Sequence, residues 1–253
     1  MHSFKSLFIT GTDTSVGKTW VSCLLLRSLA RLGLQPGAYK PACSGAVTDH
    51  SGKLIWEDVQ ALAAACPPGT PPERICPQTF TAPLAPNEAA RLENRQVNDQ
   101  LLASAVSAWQ NHCSHLVIEG AGGLFCPLSD QTTVLDLLLT LQQKSSVPAV
   151  IVAANRLGVI SHTRLTVSTL LQHGISVAGI ILNQATAPDA ETPLQDPSRP
   201  LNAGQLIHWM PEIPLLSCSW KADDLKLLHP GQMNASTALE WLQLLVSESP
   251  ELN

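Results

Sequence analysis

The segment GTDTSVGKT, residues 11–19, carries the residue types that hold phosphate groups. It follows a short apolar run and precedes a stretch with apolar residues at three- and four-residue spacing, so it reads as a strand-to-helix turn. In such a turn backbone N–H groups point inward and the following helix adds its positive end, so anions bind without many side chains. Lys18 is spaced to reach the outer phosphates of ATP, Thr19 to ligate Mg²⁺ through its hydroxyl, and Thr14, Ser15, Val16 and Gly17 to form the cradle. Against the general pattern G-x-x-x-x-G-K-[ST], Thr12 stands at the first glycine position and Gly11 comes one residue early. A plain glycine-bearing turn with an incidental Lys-Thr is the alternative, and the position between strand and helix speaks against it.

Further candidates sit at the ends of other predicted strands. YKPACSG, residues 39–45, puts Lys40 and Ser44 at a carboxyl strand end, where ligands of open α/β sheets bind. A lysine there can hold a carboxylate or carry charge developing on a transferring phosphoryl group. Taken alone, Lys40 reads equally as a solvated surface lysine and Ser44 as a loop serine. Asp58 lies near a helix start, where an acid also favours the helix dipole. Glu119 ends a strand in EGAGG, residues 119–123, so that Glu119, Gly120, Ala121 and Gly122 face the nucleotide. Both carboxylates suit Mg²⁺, whose remaining positions phosphate and water would fill. Asn183 closes GIILN, and its amide can donate to and accept from a purine edge or serve as an ordinary strand exit. His162 and Arg164 open a helix without a visible partner.

These groups need a scaffold of alternating strands and helices. Apolar runs at 5–10, 37–40, 116–119, 149–153 and 178–182 read as buried parallel strands. Helical spacing covers 18–32, 56–65, 98–112, 134–143, 160–173 and 235–246, which gives βα alternation. The expectation is a single α/β domain over residues 1–253, a doubly wound, mainly parallel sheet of the P-loop NTPase type. Two Pro-rich stretches, 66–87 and 184–202, read as long surface loops, the second as a mobile excursion.

Composition narrows the classes. Hydrophobic residues make up 45% of the 253 and charged ones 14%, enough apolar surface for a full core. The net charge of -5, with scattered Lys and Arg, offers no stripe for nucleic acid. No apolar run reaches a membrane span and the N-terminus is not that of a signal peptide, so a cytoplasmic protein without a membrane partner is expected. Seven cysteines, an odd number without close pairing, read as reduced thiols.

Together GTDTSVGKT, YKPACSG, the Asp58 segment, EGAGG with PLSD (residues 127–130) and the Asn183 strand end resemble the dethiobiotin synthetase family over about residues 4–183. The resemblance implies a homodimer that converts 7,8-diaminononanoate, CO₂ and ATP into dethiobiotin, ADP and phosphate through a phosphorylated carbamate. It implies Lys40 and Lys18 as catalytic lysines and Thr19, Asp58 and Glu119 as Mg²⁺ ligands. Ser44 and Thr14 match positions near the diamine, and Asn183 and Pro214 positions that enclose adenine. Ser15 departs from a known variant of the loop that carries glutamate.

Three other classes compete. Cobyrinate amidases have a similar loop but usually add a glutaminase domain, for which this chain is too short. A nucleotide switch of the partition or septum-site type carries a second lysine where this loop has Asp13. A structural α/β protein with a vestigial loop would bind no ATP.

Overall fold

In a computed structural model, which describes residues 4–187 and 196–247, the chain forms a seven-stranded sheet covered by helices on both sides. In chain order the strands are β1 Lys5–Gly11, β2 Pro36–Tyr39, β3 His115–Gly123, β4 Ala149–Ala154, β5 Val177–Asn183, β6 Leu215–Cys218 and β7 Lys226–His229. Their spatial order is β7-β6-β5-β4-β1-β3-β2, parallel throughout except for the antiparallel edge strand β7. The chain leaves β1 toward β2 on one side and later reaches β4 on the other, so the winding reverses at β1. A crevice beyond the carboxyl ends of β1 and β3 follows from that reversal.

The helices are α1 Lys18–Arg31, α2 Glu57–Ala65, α3 Pro72–Ile75, α4 Pro86–Leu92, α5 Asp99–Ser104, α6 Val134–Gln142, α7 Val159–Gln172, α8 Arg199–Trp209 and α9 Ala238–Ser247. Leu24, Leu25, Leu26 and Leu29 of α1 are buried almost completely. At about 1.5–3 kcal/mol each, their burial anchors the helix that carries the phosphate loop. α6 begins at a capping box, in which the Thr133 hydroxyl accepts from Asp136 N and the Asp136 carboxylate accepts from Thr133 N. None of the described helices is long and apolar enough to cross a membrane. All seven cysteines are free thiols.

The structure departs from the sequence expectations in three segments. Residues 66–87 are not a featureless loop: they hold α3, a short strand Thr79–Phe80 paired with Cys43–Ser44, and the start of α4. Within 184–202, residues 188–195 lie outside the described residues and Arg199 already begins α8. The helix expected over 98–112 divides into α5 and a 3-10 turn, Ala105–Trp109, whose tighter winding seats the Trp109 indole against Gly37.

Candidate functional site

β1 ends at Gly11, and residues 12–17 turn the chain into α1. The turn works only with small residues at two positions. A methyl group on Gly11 would stand 2.7 Å from the Asp13 carbonyl and 3.0 Å from Lys18 Nζ. Gly17, with φ of +91°, is the N-cap of α1 and has Asn183 Nδ2 where its side chain would be. Neither a side-chain cap nor an acidic residue occupies the first turn of α1, so its N–H groups stay available for an anion. Ser15 also adopts positive φ, at 57°. Thr14 and Ser15 are exposed at the rim, while Val16 is buried.

Lys18 folds back and donates to the Asp13 carbonyl at 3.0 Å. Its amine is buried, and that burial brings its pKa down to about 8; Glu119 opposes the shift and Lys40 adds to it. An amine whose charge is disfavoured by burial, beside the backbone N–H groups at the start of α1, is an arrangement that gains from a bound polyphosphate.

Lys40, Asp58, Thr19 and Glu119 converge from four elements. β2 carries Lys40 just past its end, α2 carries Asp58 in its first turn, α1 carries Thr19 and β3 carries Glu119. Lys40 Nζ donates to Glu119 Oε1 at 2.6 Å and to Asp58 Oδ2 at 2.7 Å, and Thr19 Oγ1 donates to the same Glu119 Oε1 at 2.7 Å. Glu119 is 1% exposed and the Asp58 side chain 46%. Burial alone would depress Lys40, yet Glu119 and Asp58 outweigh it and hold the ammonium well above the usual lysine value. Burial likewise works against the Asp58 charge, but Lys40, with Thr19 and Lys18 behind it, keeps that carboxyl below its usual range.

One buried oxygen of this cluster is unused. Glu119 Oε2 is buried and has no hydrogen-bond partner among the described residues. Among those residues no three His, Cys, Asp or Glu side chains gather into a metal cluster. The donors on offer are two carboxylates and a hydroxyl, hard oxygens that fit Mg²⁺ with phosphate and water completing the shell.

The other expected residues fall into place unevenly. Gly120, Ala121 and Gly122 continue β3 beside the loop, and Gly122 lies near Thr14. Ser44 donates to the Leu84 carbonyl at 2.5 Å and so ties the YKPACSG turn to the segment before α4. Asn183, 3% exposed, spends its amide N–H on the Val16 carbonyl at 2.8 Å; it braces the loop and leaves its oxygen as the free polar atom. Pro214 is not brought to the site. It immediately precedes β6, and its carbonyl accepts from Ile180 in the middle of β5, three residues before Asn183, whereas the phosphate loop lies beyond the carboxyl ends of the strands.

The carboxyl end of β6 is instead followed by Trp220, two residues past Cys218, which pairs in register with Asn183. Trp20, adjoining Thr19, donates its indole N–H to the Ala222 carbonyl at 3.1 Å, and both indoles are more than a third exposed. Arg156, in the turn after β4, donates to Asp13 Oδ2 at 2.8 Å and braces the loop from the far side. Sequence reasoning missed these three. An isolated tryptophan or arginine carries no motif, and the signal within reach was position after a strand end.

Comparison with known proteins agrees with this geometry. The AAA domain family model matches residues 5–218. An ATP-dependent dethiobiotin synthetase of Anaeromyxobacter dehalogenans (strain 2CP-1) is 42% identical over 219 residues, 87% of this chain and 92% of that protein. Its counterpart in Escherichia coli O157:H7 is 34% identical over 184 residues, 73% and 80% of the two chains. Among solved structures, chloroplast FtsY of Physcomitrella patens superposes with a TM-score of 0.50 at 15% identity, and this chain spans 65% of its length; that likeness concerns the fold alone. With its phosphate loop, its second lysine and these relatives, the chain belongs to the ATP-dependent dethiobiotin synthetase family of P-loop enzymes.

Proposed function

We propose that the protein closes the ureido ring of dethiobiotin from 7,8-diaminononanoate and CO₂, with ATP and Mg²⁺, in biotin biosynthesis. The observation that carries this reading is the second lysine: Lys40, from a different strand, shares Glu119 Oε1 with Thr19 of the phosphate loop. A nucleotide-binding loop alone needs no such partner, and a transferring phosphoryl group does.

One amine of the diamine takes up CO₂ as a carbamate and releases a proton. A carbamate oxygen then accepts the γ-phosphoryl group as ADP leaves. Attack of the second amine on the carbonyl closes the ring and expels phosphate, with loss of a proton. Lys18 and the N–H groups at the start of α1 neutralise the phosphates, and Lys40 meets the charge on the carbamate and on the phosphoryl group in flight. Ser44 and Thr14 orient the diamine. When bound by Thr19, Asp58 and Glu119, Mg²⁺ neutralises the phosphate oxygens. Positioning and charge carry the reaction, so no acid–base dyad is required.

Trp20 and Trp220 supply flat apolar surface for the adenine ring, and the Asn183 oxygen faces its exocyclic amine. The enzyme works as a cytoplasmic homodimer. Leu157, Leu165, Leu201 and Trp209, each more than half exposed on or beside α7 and α8, are what a partner would cover, and Arg164 stacks 4.4 Å over the Trp209 ring between those helices. The test is mass spectrometry of the product formed from ¹³C-bicarbonate, ATP, Mg²⁺ and the diamine. A cyclic urea carrying the label is expected; ATP consumption without a labelled ring would overturn the reading.

A further inference from the structure

Lys40 stands at the point where the oxygens suited to a metal ion converge. Its ammonium is 2.6 Å from Glu119 Oε1 and 2.7 Å from Asp58 Oδ2, and Thr19 Oγ1 lies 2.7 Å from the same glutamate oxygen. The Lys40 side chain is 5% exposed and that of Glu119 1%, so solvent does little to screen this pair, while Asp58, at 46%, opens the grouping to solvent on one side. A divalent ion taking Glu119 Oε1 and Asp58 Oδ2 would displace the ammonium, and one held by the unused Glu119 Oε2 would still face the lysine charge at close range in a medium of low dielectric.

We propose that Lys40 is the placeholder cation of the metal site: its ammonium holds Glu119 and Asp58 together until a metal takes them over and frees the lysine for substrate. The inference rests on Thr19, Asp58 and Glu119 being the metal oxygens of the proposed reaction. Without Lys40, the buried Glu119 carboxylate would lose its hydrogen-bonded cation and keep only the Thr19 hydroxyl and the more distant charge of Lys18, whose amine is bonded to the Asp13 carbonyl. With Lys40 in place the carboxylates are already gathered, but a metal entering alone must evict the ammonium.

Nucleotide changes that balance. Phosphate oxygens give Lys40 a new anionic partner and supply the metal with further ligands, so metal and nucleotide bind cooperatively. The lysine that serves the carbamate thus becomes available only when metal and ATP are loaded. Metal loading and lysine release are one event.

The test compares nucleotide-free binding of Mn²⁺, followed by its free-ion electron paramagnetic resonance signal, in the parent protein, Lys40→Met and Lys40→Arg. Lys40→Met is expected to bind Mn²⁺ about tenfold or more tightly than the parent. Lys40→Arg, which keeps the charge, is expected to bind as weakly as the parent. Adding Asp58→Asn to Lys40→Met should remove the gained affinity. Mn²⁺ should also raise the unfolding temperature of Lys40→Met and leave that of the parent nearly unchanged; a Lys40→Met protein that folds only with Mn²⁺ present gives the same answer. Equal Mn²⁺ affinity in the parent and Lys40→Met would overturn the placeholder role. Failure of the parent to form a cyclic urea would sink the proposed reaction and leave the Mn²⁺ comparison standing.

Discussion

Gly17 and Asn183 stand so close that a methyl group on the glycine would meet the asparagine amide nitrogen at 2.1 Å. The contact joins the last turn of the phosphate loop to the end of β5, and the hydrogen bond from the same amide to the Val16 carbonyl holds the loop's shape. Gly17→Ala therefore combines a forced positive φ with a clash. It is expected to cost about 1–3 kcal/mol from the backbone alone. Chemical denaturation should show that loss, and calorimetry should show ATP binding impaired with it.

Lys18 makes nucleotide binding depend on protons. Its folded pKa of about 8 lies below its ordinary 10.5, so between those values the unfolded chain binds more protons than the folded one. Stability of the nucleotide-free protein should accordingly gain from this group as pH rises through that window, and the cost of burying the charged amine is fully present below it. Phosphates restore the positive charge. At pH 8, binding of ATP should take up roughly half a proton, measured by calorimetry in buffers of different ionisation enthalpy.

Lys40→Ala separates binding from chemistry. Mg-ATP affinity is expected to stay near that of the parent, because the loop still holds the phosphates and the lost lysine–phosphate contact is offset by easier entry of the metal, while product formation is abolished. Equal loss of both would contradict the role. The variant leaves the buried Glu119 without its cation, and a stability loss of about 3 kcal/mol is expected in thermal or urea unfolding without metal.

Trp220→Ala tests where the base lies. Removing a stacking surface should weaken ATP by about 1–3 kcal/mol. Binding of inorganic tripolyphosphate, which has no base, should not change. Parallel weakening of both would assign Trp220 to the structure of the loop.

Much of this arrangement was legible in the sequence, for a physical reason. Strands β1, β3, β4 and β5 are largely buried on both faces and so read as continuous apolar runs; Gly11 and Asn183 end β1 and β5 at the carboxyl edge, while Glu119, where the apolar run of β3 stops, is followed by four more strand residues to Gly123. Proline misled the reading elsewhere. Pro72, Pro86 and Pro200 made their surroundings look like loop, yet each lies in the first turn of a helix, where its missing N–H costs nothing. β6 and β7, at four residues each, were too short to carry a period. Pro214 was expected at the base from the family resemblance alone; without β6 in view, neither its place before the amino end of that strand nor Trp220 beyond the other end could be seen.

The most direct test of the proposed reaction is phosphate release from Mg-ATP and bicarbonate, with and without 7,8-diaminononanoate. Release that depends on the diamine, with one dethiobiotin formed for each phosphate, is the predicted result. ATP bound without diamine-dependent release, or phosphate released at the same rate in the absence of the diamine, would contradict it.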